Sequence, residues 1–300
     1  VIYDIRHVTR YAYEAPVATA KLALRLTPRD EPGQRCLSHG ITVRPAARRM
    51  LRERDFFGNA VTVALIDDTL TELEIEAVAR VEVTRAPALL AGASPSWSAV
   101  AERALATEAL AASSPVHYLY PSPRIALADG VTAWAAESFA AERPVVEAAR
   151  ELAARIRRDF AYSPNSTAVE TDLAEAFAQR RGVCQDFAHI MIAGLRGLGL
   201  PAAYVSGYIR TIPPAGQPRL EGADASHAWV AVWCGPEIGW FGIDPTNAID
   251  VGTDHIVLAQ GRDFSDVSPI YGVFLGSGAQ ALDVAVDVVP VEASPGLAVV

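Results

Sequence analysis

The hydrophobic period of this chain changes twice, from two residues to about 3.6 and back, and few folds accommodate that order. Leu73, Ile75, Ala77, Ala79, Val81 and Val83 alternate with Glu72, Glu74, Glu76, Arg80 and Glu82. That is the pattern of an antiparallel strand with one buried and one charged face. Val17–Leu26, Gly40–Val43 and Ala60–Leu65 also read as strands. Between them lie turn signals at Thr27-Pro28-Arg29-Asp30, Glu31-Pro32-Gly33 and Phe57-Gly58-Asn59. Residues 1–85 are therefore expected to form an all-β, sandwich-like domain. Residues 86–97, with Pro87, Gly92 and Pro95, read as a linker. The helical period then runs through Ser98–Ala112, Asp129–Ala141, Pro144–Phe160, Asp172–Arg180 and Cys184–Leu198. Asp129 suits an N-cap, Pro144 a first turn, and Gly199 with Pro201 a stop. Strands return at Tyr204–Ile212, Ser226–Trp233, Trp240–Ile243 and Ala281–Val289. The expected class is α+β, with residues 98–300 as helices packed on an antiparallel sheet.

Length and charge narrow the function. Three hundred residues suffice for about two domains. At 51% hydrophobic and 20% charged, the composition is that of a globular protein. The formal net charge of −9 argues against nucleic acid or an anionic membrane surface as partner. No apolar run approaches the ~18 residues of a membrane span. The first 20 residues carry scattered charges and no apolar stretch of signal-peptide type. A cytoplasmic location is the resulting expectation. Cys36, Cys184 and Cys234 are too few for a disulfide framework. Lys21 is the only lysine.

Cys184 opens a helix in the run Gly182-Val183-Cys184-Gln185-Asp186-Phe187-Ala188-His189. A thiol at a helix N-terminus meets unpaired N–H groups and the positive end of the dipole, both of which favour thiolate. Cys36 and Cys234 lack that setting and read as packing. A nucleophilic cysteine needs a base, and His227 begins an alternating strand whose face it shares with Trp229, Ala231 and Trp233. Asp244 ends the next strand, 17 residues on, where antiparallel pairing could set it beside His227. Together they would compose a Cys-His-Asp site for acyl transfer. Asp186 reads as a first-turn carboxylate on the helix dipole, and His189 as packing or support. Trp229 and Trp233 read as core, while Glu221, Asp224 and Ser226 lie in a loop that could border the cleft.

The blocks GVCQDFAH, DASHAWVAVW and WFGIDPTN resemble the catalytic core of the transglutaminase-like superfamily, which has a papain-like fold. The resemblance runs from about Glu147 to Pro269 and takes in FAYSP, GLGLPAAYVSGYI and GRDFSDVSP. The opening YDIRHVTRYAYEAPV is similar to the β-rich N-terminal domain of bacterial members. The resemblance implies Cys184 as nucleophile, His227 as base and then acid, and Asp244 as its orienting partner. It also points to Tyr162 as an aromatic helper of the oxyanion, against ordinary packing of the FAYSP turn, and to an accessory role for Gln185. The implied substrate is a protein or peptide amide, with a primary amine or water resolving a thioester and no cofactor needed. A peptidase or amidase without transferase activity is the alternative within enzymes. A zinc site built from Cys184, His189, His227 and Asp244 is disfavoured by spacing. Asp263 and Asp266 are too little for calcium, and a binding module with an inactive Cys-His-Asp set is the reading outside enzymes. Oligomeric state is left open.

Overall fold

The structure is a computed structural model of the chain and describes residues 1–85, 89–90, 92–164, 171–212, 222 and 224–291. The strands are β1 (Ile2–Val17), β2 (Thr19–Leu24), β3 (Gln34–Arg44), β4 (Arg49–Arg54), β5 (Ala60–Ile66), β6 (Leu70–Val83), β7 (Ala161–Tyr162), β8 (Arg181–Gly182), β9 (Ala202–Ile209), β10 (Ala225–Trp233), β11 (Trp240–Asp244), β12 (Ile249–Asp250), β13 (His255–Gly261), β14 (Ile270–Leu275) and β15 (Gln280–Pro290). The helices are α1 (Trp97–Leu105), α2 (Asp129–Ala136), α3 (Val145–Asp159), α4 (Leu173–Gln179), α5 (Cys184–Gly197) and α6 (Phe264–Val267).

Two four-stranded sheets, β15-β1-β6-β3 and β14-β2-β5-β4, face each other across Leu22, Leu24, Ile66, Leu73 and Ile75. The alternation in β6 accounts for more than this sandwich. Leu73, Ile75 and Ala77 fill the space between the sheets. Further along the same face, Val81 and Val83 join Tyr3, Ile5, Tyr208, Ile256 and Leu258 in a core shared with the second unit. One apolar face thus serves two interfaces, because a 14-residue strand outruns the sheet stacked on it. Its other face carries cross-strand ion pairs such as Arg10–Glu74 and Arg6–Glu76.

The expected division at 98–300 is not how the sheets are assembled. β14 pairs with β2 and β15 with β1, so the last strands complete the sandwich begun by residues 1–83. An antiparallel strand needs only a matching edge, and that edge can come from anywhere in the chain.

The second unit holds a five-stranded antiparallel sheet, β12-β11-β10-β9-β13, packed against the helices. α5 is buried on every side from Asp186 to Arg196. Arg196 is accommodated there by donating to the carbonyls of Ala202, Tyr120 and Arg262. Helix ends differ from expectation where nothing covers the helix. α1 stops at Leu105, not Ala112; Leu105 and Leu110 are exposed, so no buried face supports further turns. α2 stops at Ala136, with Asp129 inside its first turn and Ala128 at the N-cap. Pro144 is the N-cap of α3. Among the described residues, no helix is long and apolar enough to cross a membrane.

Candidate active site

Several local devices place Cys184. α4 closes at Arg180 in the left-handed region (φ 52°). Its guanidinium lies over the rings of Phe177, Phe160 and Trp134 at 4.2, 4.7 and 5.2 Å, which anchors that conformation by cation–π contact. β7 and β8 then pair in parallel, matching Tyr162 with Gly182. The Ser163 N–H donates to the Gly182 carbonyl at 2.9 Å. The Asp186 carboxylate reaches back from the first turn of α5 to accept the Val183 N–H at 2.8 Å. Gly182 is required by this packing, since a Cβ there would lie 2.6 Å from Asp186 Oδ2. Cys184 is left half-buried at the first position of the helix.

His227, on β10, is buried, and its Nε2 lies 2.8 Å from Asp244 Oδ2. The Cys184 sulfur is near enough to bear on its protonation. Nε2 is thus the nitrogen engaged by the carboxylate. Asp244 has no exposed surface. Its Oδ1 accepts the Thr246 and Asn247 N–H groups at 2.9 and 3.2 Å, and its Oδ2 accepts Asn247 Nδ2 at 2.6 Å. Burial disfavours charge on His227, but the bonds to Asp244 and Cys184 and the charges of both outweigh it and raise its pKa to about 10. Burial likewise opposes ionisation of Asp244. The donors His227, His255 and Asn247, with the His227 charge, overcome this and hold the carboxyl well below the usual range. The His227–Asp244 pair is arranged for an ionised carboxylate and an imidazolium.

Tyr162 is 52% exposed, with its ring edge-on to Phe187. Burial of its remainder and the charge of Cys184 both push its hydroxyl pKa up. Gln185 is half-buried in the same turn. His189 belongs elsewhere: its Nε2 accepts the Phe264 N–H at 3.3 Å, and burial lowers its pKa to about 4, leaving the ring neutral. Trp229 packs with Ala203, Val205, Ala231 and Val257, and Trp233 is buried in the cluster that holds the helices, so both are core. Asp224 is buried and accepts the N–H groups of Thr211 and Val288, and Ser226 is exposed. Glu221 lies outside the described residues. Cys36 has a histidine neighbour that the sequence reading overlooked, with His39 Nδ1 3.9 Å from its sulfur. Burial and the Asp30 charge nonetheless raise its pKa, and burial takes Cys234 to about 12. Asp263 caps α6 and Asp266 pairs with Arg262. No group of three or more His, Cys, Asp or Glu side chains is set to hold a metal ion among the described residues. The sequence reading missed His255, whose Nε2 lies 3.4 Å from Asp244 Oδ2; its signal, a polar residue opening the apolar run IVLA, is weak.

A β-sandwich joined to a central helix that presents a cysteine to a histidine-bearing sheet defines an α+β protein of the transglutaminase type, and the comparisons agree. Residues 3–82 match the bacterial transglutaminase-like N-terminal region, and residues 132–245 match the transglutaminase-like superfamily. An uncharacterised protein of Mycobacterium tuberculosis is 39% identical over 97% of this chain and 93% of its own length. One of Mycobacterium leprae is 34% identical over 94% of this chain and 96% of its own. The crystal structure of "a Putative Cysteine Protease" from Cytophaga hutchinsonii superposes with a TM-score of 0.73 over 98% of this chain and 92% of that one. At 18% identity, that likeness is one of fold. A 90-residue stretch, 29% of this chain and 13% of the relative, is 39% identical to the protein-glutamine gamma-glutamyltransferase of Pseudomonas aeruginosa. The chain belongs to the transglutaminase-like superfamily.

Proposed function

We propose that the protein is a thiol acyl-transfer enzyme acting on carboxamides, with Cys184 as nucleophile, His227 as acid and base, and Asp244 as the group that orients His227. The observation that carries this reading is the buried 2.8 Å contact between His227 and Asp244, in a structure that sets Cys184 at a helix N-terminus. The sulfur of Cys184 attacks the amide carbonyl, and the C–N bond breaks as His227 gives its proton to the departing amine. A thioester remains. An incoming amine or water, relieved of a proton by His227, then attacks it and restores the thiolate–imidazolium pair. Negative charge on the tetrahedral oxygen is met by the Cys184 backbone N–H, which has no intrahelical acceptor at the first position of α5, and by the Tyr162 hydroxyl at the mouth of the site.

Glutamine is the preferred donor, because the stretch shared with the Pseudomonas aeruginosa relative belongs to a protein-glutamine gamma-glutamyltransferase. The test is incubation with a glutamine-containing peptide, with and without a labelled primary amine. Ammonia release with amine incorporation is expected. Ammonia or peptide release without incorporation would make water the acceptor. Activity that persists unchanged in Cys184→Ala would overturn the whole assignment.

A further inference from the structure

We propose that His255 is a positioning residue of this site: it donates a hydrogen bond from an uncharged ring to Asp244 and so fixes how that carboxylate faces His227. The role presupposes the Cys184–His227–Asp244 reading above. His255 opens β13 and is almost wholly buried. Its Nδ1 accepts the Gly252 N–H at 3.2 Å. A ring nitrogen that accepts carries no proton, so in the neutral ring the proton sits on Nε2, 3.4 Å from Asp244 Oδ2.

The ring is clamped as well as bonded. Trp229 packs edge-on against it, with centroids 5.3 Å apart. Trp229 can lie there only because position 207 is glycine: a Cβ would stand 2.4 Å from the indole and 2.1 Å from the Ile256 carbonyl. Two imidazoles thus address one carboxylate oxygen, with ring centroids 6.4 Å apart. Two imidazoliums at that separation would repel. With the Gly252 N–H on Nδ1, His255 meets the carboxylate through Nε2 alone, and the shorter contact, 2.8 against 3.4 Å, goes to His227.

The test is the rate at which iodoacetamide alkylates Cys184 in the folded protein near neutral pH, with peptide mass mapping to separate Cys36 and Cys234. His255→Phe keeps a ring against Trp229 and removes the donor, while His255→Gln keeps a donor and removes the ring. A positioning role predicts a rate about tenfold lower in the phenylalanine variant and within about threefold of wild type in the glutamine variant. A packing role predicts the reverse order, and that order, or an unchanged rate in both, would overturn the proposal. An unchanged rate in Asp244→Asn would overturn the acyl-transfer reading along with it, which separates the two failures. Should either variant not fold, nitrogen-15 NMR of histidine-labelled wild type still decides. A neutral His255 with bare Nδ1 is expected, and a protonated ring or an Nδ1–H tautomer refutes the role.

Discussion

Asp244 is a fully buried carboxylate that accepts from two backbone amides, an asparagine and two imidazoles. Removing its charge while keeping its shape isolates what that charge does. Asp244→Asn should cost roughly 10³–10⁴-fold in the acylation rate constant. It should also move the alkaline limb of the pH–rate profile from about 10 toward the ordinary histidine value of 6.5, because His227 loses the partner that stabilises its proton. A limb that stays in place would mean another group sets it. Stability follows the same sign. The folded pKa of His227 is raised, so its contribution is complete below about 6.5 and is lost as pH rises through about 10. Urea unfolding between pH 7 and about 10.5 should therefore show a steeper loss in wild type than in His227→Gln, by on the order of a few kcal/mol. Tyr162→Phe should lower kcat by about 10²-fold and leave KM nearly unchanged if its hydroxyl serves the oxyanion; a rise in KM alone would assign it to substrate binding.

At the scale of elements, the start of α5 was legible because a helix N-terminus has a local signature. Gly182 breaks the preceding segment, and Asp186 supplies the carboxylate at the third helical position. Asp186→Ala should cost about 1–3 kcal/mol of stability, since it strips the Val183 N–H of its acceptor in a buried turn. Retained stability in thermal melts would show that water replaces it. β10 and β11 were equally legible from alternation and spacing, and their pairing runs from Val230↔Ile243 to Trp233↔Trp240. β13 was not. HIVLAQ is an apolar run without alternation, because both faces of that strand are covered, and a two-sided strand looks like any buried segment. The histidine at its head went unread for the same reason.

For the molecule as a whole, the sandwich has a mechanical duty toward the candidate site. β13 is the edge of the five-stranded sheet, and two buried side chains of the sandwich hydrogen-bond it as a neighbouring strand would. Gln34 donates to the Val257 carbonyl at 2.9 Å and accepts the Val257 N–H at 2.7 Å. Asn59 does the same at Gln260, at 2.8 and 2.9 Å. These amides close an edge that would otherwise be open, on the strand that carries His255. Replacing both with alanine should destabilise the protein by about 3–6 kcal/mol, as the Val257 N–H and both Gln260 backbone groups lose partners while the Val257 carbonyl keeps the Arg29 N–H. With strands shared from both ends of the chain, heating should give one cooperative calorimetric transition; two resolved transitions would show that the units fold apart.

Sequence alone determined what depends on near neighbours. The β-rich first segment, the α+β class, the helix that begins at Cys184 and the strands bearing His227 and Asp244 were all readable from period, caps and turn residues, with three motif blocks to identify the family. What only the tertiary structure decided depends on contacts between distant segments. The return of β14 and β15 to the sandwich, the surrogate strand made by Gln34 and Asn59, and the meeting of His255 with Asp244 are fixed by which edges and buried donors find complementary partners. That complementarity is a property of the assembled surfaces, and no local stretch of residues encodes it.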